Sequence, residues 1–567
     1  MPHNLFFPDD KKVREFSTQL EISLAECGIT SYGYIPHFMS AYALYKAQSY
    51  VPDSMPPFAS VINSINNDLI RFSVANTVEN YWDALRLLYG VFNAKTIASY
   101  ILNSELTTDS RGFTATPSSV ITLALELLEI HDEDKVADLG AGCGGFIVSA
   151  YKENSNADYY AIEIQNNLAA IAAIRAELLG QNVTVEQGNM FSIYNTDLRF
   201  NKIFANYPFM INTMNEKSTF VDKLSYTVPK TRSSDWLFNL LLLETLCENG
   251  RAIGIMTSGG CFNSADRNMR EFFVRNGYIE AIIALPERLF SDTNIATEMV
   301  LLSKENKDIR MVDATKLCKK GRRQSEFTDE HIRKIIAALK TDNDYSRLVS
   351  LQELEDDGYN LDPTKRLVKP VKIENGTLFG DLIKNITRGA QLDAEKLDEM
   401  TSTEQTSYQY LMLRDIQDGI INETLPFLKY IETRLEKYCV TSGTLVMSKN
   451  GAPFKVAIVG DLSGKALLAN GNLYVIELDE TRIRPFYLKA FFESEMGARI
   501  LNNISVGTAM PVIQVEALKS ITVPCPTLEE QERLEAQYLQ SMEAIKTLRS
   551  QLASAIEVSK NFFREDE

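Results

Sequence analysis

The order of apolar and polar positions divides the chain before composition is considered. From residue 1 to about 108, apolar residues recur at three- and four-residue steps. Phe72, Val78, Tyr81, Leu85, Leu88 and Phe92 follow that spacing, Leu87 widens the stripe, and the pattern predicts helices. Ser118 and Ser119 are placed to cap the next helix, where Ile121, Leu125 and Leu128 share a face. Short apolar strands are then expected at 135–139, 159–163, 183–187, 202–205, 251–256 and 279–285. Helices are expected over 166–180, 235–247 and 268–276, and residues 298–303 read as a last, antiparallel edge strand. Strands alternating with helices predict an α/β fold built on a doubly wound sheet. The polar stretch Ile211–Arg232 is long enough to form a loop over it.

Pro370 to Gly376 reads as a linker, after which strands shorten and turns crowd together. A long final helix carries Leu534, Tyr538, Ile545, Leu548 and Leu552 at alternating three- and four-residue steps, the spacing of a coiled-coil seam. The expected organisation is a helical domain (1–108), an α/β domain (109–369), a domain of short strands (370–525) and a C-terminal long helix (526–567).

Composition narrows the class. No run of about 18 apolar residues predicts a membrane span, and the first residues lack the basic start of a signal peptide. Seven cysteines without CxxC pairs and four scattered histidines argue against a zinc site or a disulfide scaffold, and fit a reducing cytoplasm. The net charge of −17 means that phosphate binding requires segregated charge. Two basic scatters are candidates: Lys365, Arg366, Lys369, Lys372, Lys384 and Arg388, then Lys429, Arg434, Lys437, Lys449 and Lys455.

The chemistry concentrates at strand ends. The strand from Lys202 ends in Asn206-Tyr207-Pro208-Phe209. Asn206 offers a side-chain acceptor, Tyr207 a backbone carbonyl on the extended residue before a proline, and Phe209 a flat apolar face. Two acceptors suit the N–H bonds of an exocyclic amine, and a ring suits the base that carries it. Upstream, Gly140, Gly142 and Gly145 satisfy GxGxxG, and Glu163 ends the next strand at a distance suited to ribose hydroxyls. An NAD site shares these features. Asp138 discriminates, because a carboxylate at the strand tip repels a pyrophosphate but can hold an ammonium. That favours S-adenosylmethionine over NAD. A Thr-Pro loop, Thr114 to Pro117, can present hydroxyls and N–H groups to a carboxylate. Asn189, with Met190 beside it, could read an adenine edge. Asp138, Glu163, Asn189 and Asn206 thus mark four successive strand ends, where doubly wound sheets gather ligands.

Taken in order, Phe113–Pro117, Asp138–Phe146, Asn206–Phe209, Ala284–Phe290 running to Thr297, and Asp357–Pro363 resemble the modification (methylase) subunit of type I restriction-modification systems, an N6-adenine DNA methyltransferase. The resemblance spans Arg111 to about Lys369. It implies a Rossmann-like, S-adenosylmethionine-dependent sheet with no metal. Phe113, Thr114, Thr116, Pro117, Asp138, Gly140, Gly142, Gly144, Phe146, Glu163, Asn189 and Met190 would bind the cofactor. Asn206, Tyr207, Pro208 and Phe209 would act on a flipped adenine. Two positions depart from the family: Tyr207 replaces a proline, and Asn189 stands where an acidic residue is usual.

Leu378–Ile383, Tyr410–Ile416, Val440–Met447, Gly507–Pro511 and Ile521–Gln531 resemble one target-recognition domain of a type I specificity subunit. The implied partners are double-stranded DNA, a second copy of the chain paired through the C-terminal helix, and a separate restriction subunit. Other readings are a weakened or inactive DNA-binding subunit, a methylase of protein glutamine or RNA, and an NAD oxidoreductase. Pro524-Cys525 resembles the nucleophile dipeptide of cytosine-C5 methylases but lies outside the α/β segment, and it reads as structural.

Overall fold

The structure, a computed structural model, describes residues 10–29, 34–48, 54–104, 115–209, 220–230, 234–290, 295–322, 324–367, 373, 376–451, 453–506 and 511–560. It forms two compact units, residues 1–367 and 368–567. Phe113, Thr114, Met210–Thr219 and Thr231–Ser233 with both ends of the expected loop, Lys369 and Lys372, most of the expected linker and Gly507–Met510 lie outside the described residues.

The first unit begins with helices α1 (Asp10–Glu26), α2 (Tyr34–Ala47), α3 (Phe58–Asn63), α4 (Asp68–Val78) and α5 (Ala94–Asn103), with a 3₁₀ stretch at Glu79–Leu88. Asn67 and Asn93 cap α4 and α5, each accepting from a backbone N–H three residues on, at 3.1 and 2.9 Å. Val78, Tyr81, Leu85, Leu88 and Phe92 are buried, but Phe72 and Leu87 are 64% and 78% exposed. The stripe shifts because a 3₁₀ stretch has three residues per turn. Trp82, Leu85 and Leu88 line up at that period and Leu87 falls off the face. Phe72 lies off the α4 face formed by Ile70, Val74 and Val78.

The remainder of this unit holds α6 (Ser118–Leu128), β1 (Lys135–Leu139), α7 (Gly145–Glu153), β2 (Asp158–Glu163), α8 (Asn166–Leu179), β3 (Val183–Gln187), β4 (Phe200–Ala205) and α9 (Asp235–Thr245). They are followed by β5 (Leu246–Thr257), β6 (Ile279–Ala284), β7 (Thr297–Leu302), β8 (Asp308–Asp313) and β9 (Ser346–Ser350). The strands form one sheet in the order β9-β8-β6-β7-β5-β4-β1-β2-β3. From β3 to β5 all neighbours are parallel. The chain leaves β1 toward β2 and β3 and then returns to β1's other side as β4. That reversal opens a crevice at the carboxyl ends of β1 and β4.

Three expectations need correction. Residues 298–303 do form an antiparallel strand, but β7 lies inside the sheet between β5 and β6. Every residue of β7 is buried, Glu298 included, and burial with Asp362 and Asp313 nearby pushes that carboxyl well above the usual carboxylate range. The helix expected to run to Cys247 stops at Thr245, and the strand starts at once. A register shift opposite Phe200–Lys202 absorbs the residues up to Gly250, where a Cβ would come within 2.7 Å of Leu246. Finally, Pro117 occupies the N-cap position of α6 and no side chain caps that helix. Ser119 Oγ instead accepts from the Phe327 N–H at 3.3 Å.

Alternate residues face opposite cores. Val136 and Phe204 join Phe146 on one side, where the Phe146 and Phe204 rings stack at 4.5 Å. Ala137, Leu139, Ile203 and Ala205 join α9 on the other. Both faces are covered, as a parallel sheet requires. Helix α8 is buried nearly all round because the N-terminal helices cover its outer face through Leu168, Ile171 and Ile174.

The second unit contains a four-stranded sheet that includes Ile383–Arg388 and Leu473–Leu478, and a five-stranded sheet that includes Tyr408–Leu411 and Ala466–Ala469. Its long helix, Leu528–Lys560, is anchored at one end. Gln531 Oε1 accepts from the Arg484 N–H at 2.9 Å, Glu535 pairs with the Arg484 side chain, and Tyr538 bonds Lys489 and Glu493. Beyond Tyr538, Ile545, Leu548 and Leu552 are exposed. No helix among the described residues is long and apolar enough to cross a membrane.

Arg175 on α8 is a buried polar hub of the first unit. Its guanidinium donates to Ile101 O, Cys143 O and Ser104 O at 3.0, 2.9 and 2.7 Å. The ring of Phe38 lies 5.1 Å away. It ties the carboxyl end of α5 to the glycine turn after β1, and a cation suits a helix carboxyl end. Arg175→Ala leaves three carbonyls without their donor and should cost about 3 kcal/mol. A fall in the thermal midpoint checks this, and an unchanged midpoint contradicts it.

Candidate active site at the carboxyl edge of the sheet

The site assembles on the tips of four adjacent strands, in the order β4-β1-β2-β3, which span roughly 14 Å at the usual strand spacing. Asp138 pairs across the sheet with Ala161 of β2 and Phe204 of β4. Asn206 therefore stands just past the tip beside it. Glu163 closes β2, opposite Gln187 of β3, and Asn189 follows two residues later.

The turn after β1 is built from residues in the left-handed region: Gly140, Gly142 and Gly144 have φ of 95°, 53° and 79°. Gly145 of the GxGxxG reading is instead the first residue of α7, with Gly144 at its N-cap. A Cβ on Gly144 would also meet the Ala172 Cβ of α8 at 3.3 Å, so space as well as torsion demands glycine there. Glu163 holds this turn. Its carboxylate accepts from the Gly142 N–H at 2.9 Å and the Gln165 N–H at 2.8 Å. Its backbone carbonyl accepts from the Gly188 N–H at 2.9 Å, linking β2 to the segment carrying Asn189.

Two acids are buried together here. Burial, reinforced by Glu163, pushes Asp138 well above the usual carboxylate range. Burial also raises Glu163, opposed by its hydrogen bonds from Gln165 and Gly142. A pair of acids at the mouth of a glycine turn disfavours a pyrophosphate and accommodates a cation. The residues present therefore fit the cationic, phosphate-free S-adenosylmethionine better than a dinucleotide. Among the described residues no group of His, Cys, Asp or Glu is arranged to hold a metal.

Asn206 is half-buried, and its Nδ2 donates to Thr116 Oγ1 at 2.9 Å. This brings the Thr-Pro loop before α6 against the loop after β4, across 90 residues of sequence. It also fixes the carboxamide: with its nitrogen turned to Thr116, its Oδ1 faces the other way. Pro117 lies beside this contact, Pro208 is exposed, and Phe209 is half-buried with its ring edge-on to Phe290 at 5.9 Å. Phe146 packs beneath the sheet, and its ring belongs to the core.

Tyr207 does something its sequence position did not reveal. Its side chain is fully buried, stacked on Phe238 of α9 at 4.5 Å. Its hydroxyl donates to Asp235 O at 3.3 Å and accepts from Asn239 Nδ2 at 3.0 Å. Asp235 in turn accepts from Thr257 Oγ1 at 2.5 Å. The Asn206–Phe209 loop is thus pinned from below. A signal existed: Asn239 is the lone amide in the apolar run of α9. Arg175, which holds Cys143 in the glycine turn, was also missed.

Asn189 caps the 3₁₀ turn Met190–Asn195, its Oδ1 accepting from the Phe191 N–H at 3.0 Å. Met190 is buried beside it. The amide oxygen is committed to the backbone, so its nitrogen is the group a ligand would meet.

The buried acids carry a stability consequence. Between the usual and the raised pKa of Asp138, the folded protein holds a proton that the unfolded chain has lost. Ligand-free stability therefore falls as pH rises through that window. Asp138→Asn should raise the ligand-free thermal midpoint near pH 8, have little effect near pH 4, and flatten the slope between. Parallel pH profiles for variant and wild type would contradict this.

Residues 99–375 match the N-6 DNA methylase family and residues 406–558 match the type I restriction modification DNA specificity domain. The chain is 28% identical over 320 residues to the type I restriction enzyme MjaVII methylase subunit of Methanocaldococcus jannaschii, covering 50% of this chain and 54% of that protein. It is 24% identical over 315 residues to the HindI methylase subunit of Haemophilus influenzae, covering 49% and 71%. A solved type I restriction-modification methyltransferase subunit from Streptococcus thermophilus aligns with a TM-score of 0.41 at 22% identity, covering 52% of this chain and 67% of that one. The chain spans about half the length of the Methanocaldococcus relatives it matches. Its two matched segments are thus similar, in chain order, to the N-6 DNA methylase family and to the type I restriction modification DNA specificity domain.

Proposed function

We propose that the protein is a site-specific DNA methyltransferase that moves a methyl group from S-adenosylmethionine to N6 of an adenine flipped from the duplex. The observation that carries this reading is the Asn206–Thr116 hydrogen bond beside the buried acid pair. It supports a carboxamide held in one orientation just past the strand tip beside that of Asp138.

Bound S-adenosylmethionine supplies an electrophilic methyl group. Asp138 receives its ammonium, directly or through water, and Glu163 its ribose hydroxyls. Thr116 accepts from Asn206 and keeps its own hydroxyl proton for the cofactor's carboxylate. Asn189 meets the adenine with an amide N–H, which matches a ring nitrogen, where an acid would match the exocyclic amine.

The acceptor nitrogen of the target base is a poor nucleophile because its lone pair is shared with the ring. Asn206 Oδ1 and the Tyr207 carbonyl accept hydrogen bonds from its two N–H groups, favouring a pyramidal nitrogen aimed at the methyl group; the one proton released on methylation leaves to solvent. Phe209 stacks on the extruded base. Tyr207 keeps its carbonyl in place through its buried ring. The second unit reads the target, and the apolar row Ile545, Leu548 and Leu552 on its exposed helix pairs two chains so that two half-sites are read. Cleavage of DNA is left to a separate restriction subunit.

Asn206→Ala should lower methylation of duplex DNA by at least ~10²-fold, while S-adenosylmethionine binding by calorimetry stays near wild type. Thr116→Val should lower kcat more than it raises KM for DNA, and Thr116→Ser should restore it. Full activity of Asn206→Ala, or an equal loss with serine, would defeat the assignment. A chain that sediments only as monomer, with and without DNA, would remove the pairing.

A further inference from the structure

The second unit carries a concave cleft of about 630 Å³ lined by Thr387, Arg388, Gln391, Arg434, Lys437 and Tyr438, among others. That size is within the range of ligand clefts. Its three charged lining residues are all cations. Arg388 comes from the first basic scatter and Arg434 and Lys437 from the second, some 45 residues on, and the fold brings these three side chains to one cleft.

The state of each cation matters more than the number. Arg434 Nε is 2.6 Å from Glu432, a carboxylate that also pairs with Lys396 at 2.9 Å, so one acid is shared between two bases. Arg388 and Lys437 form no ion pair with a carboxylate among the described residues. Arg388 Nε donates to Gly471 O at 2.5 Å. With the Gln391 amide oxygen turned toward it, both of its Nη atoms also donate to Gln391. The guanidinium is therefore held in a fixed direction by neutral partners that leave its charge uncompensated. Lys437 Nζ lies 5.0 Å from the Tyr438 ring centroid, an aromatic contact that also leaves the charge uncancelled. In a chain of net charge −17, uncompensated cations in one concavity are a selective feature.

We propose that this cavity is a seat for the phosphate backbone of duplex DNA, with Arg388 and Lys437 as its principal contacts. The inference rests on the methyltransferase reading above and adds the surface that holds the substrate. A pre-aimed guanidinium suits a phosphate oxygen, a lysine adds a point charge, and neither carries base specificity. The site thus sets register and affinity, leaving sequence to other residues.

The test measures binding of the full-length protein to a duplex oligonucleotide across a salt series. Each phosphate contact contributes about 0.9 to the slope of log K against log salt. Arg388→Gln with Lys437→Gln should weaken binding about tenfold or more at moderate salt and flatten the slope by roughly 2. Lys519→Ala with Arg533→Ala removes the same net charge outside the cavity and should change the slope little. Lys437→Gln alone, which breaks no hydrogen bond to the fold, should give about half the slope change. Circular dichroism and a thermal midpoint near wild type confirm that each variant is folded. Equal slopes for the cavity and control variants overturn the proposal, as does preferential competition by duplex RNA or inorganic phosphate. If wild type methylates DNA and the cavity variants bind as it does, the seat is wrong and the enzyme reading stands. If wild type binds through these residues but transfers no methyl group, the enzyme reading fails and the seat stands.

Discussion

Two carboxyl groups withdrawn from water at neighbouring strand tips set the terms for the first unit. Glu163 offsets its burial by accepting two backbone N–H bonds, and in doing so clamps the glycine turn. Asp138 is fully buried next to it, and its charge is opposed by both burial and its neighbour. An ionised carboxylate in that position calls for a cation, so the fold tolerates a local instability that a cationic ligand relieves. Such strain at a functional edge is the usual exchange of stability for binding. Arg175 belongs to the same arrangement, because its bond to Cys143 fixes the far side of the turn that Glu163 holds from the near side.

The loop after β4 meets a different constraint. A backbone carbonyl can serve as an acceptor only if its peptide is immobile. Two consecutive prolines would supply stiffness through restricted torsions. Here Tyr207 stands where the first is usual, and stiffness comes from packing: a ring stacked on Phe238 and a hydroxyl held by Asn239 and Asp235. The two solutions fail differently. A proline is rigid on its own, whereas the tyrosine is rigid only while α9 is correctly seated. The position of the loop is thereby coupled to the core beneath the sheet.

What could be read from the chain, and what could not, follows from the range of each interaction. The strand tips bearing Asp138, Glu163 and Asn206 were legible because strand period and turn chemistry are local. Residues 298–303 read as an edge strand because they come last among the expected strands. The burial of β7 inside the sheet depends on neighbours supplied by β5 and β6, which no local pattern encodes. Leu87 was misassigned because 3.0 and 3.6 residues per turn diverge within one turn or two. The Asn206–Thr116 bond joins positions 90 residues apart, so each residue could be singled out but their pairing could not. Arg175 was invisible for a related reason: a lone arginine in an alanine-rich helix reads as a solvent-facing residue until α5 and the glycine turn are seen to close over it.

Net charge is a poor guide to what the second unit can bind, and ion pairing explains why. Several of its bases are matched locally: Lys396 with Glu399 and Glu432, Lys519 with Glu516, Arg533 with Glu530. Exposed pairs of this kind contribute little stability, but they remove the cation from competition for an anionic ligand. The bases able to attract phosphate are those whose partners are neutral: a carbonyl, an amide or an aromatic ring. Arg388 and Lys437 meet that condition. An acidic chain can thus present a positive surface without many basic residues, provided that its acids are spent on other bases. The acidic remainder then opposes nonspecific adhesion to nucleic acid elsewhere on the molecule, which sharpens the contrast between the seat and its surroundings.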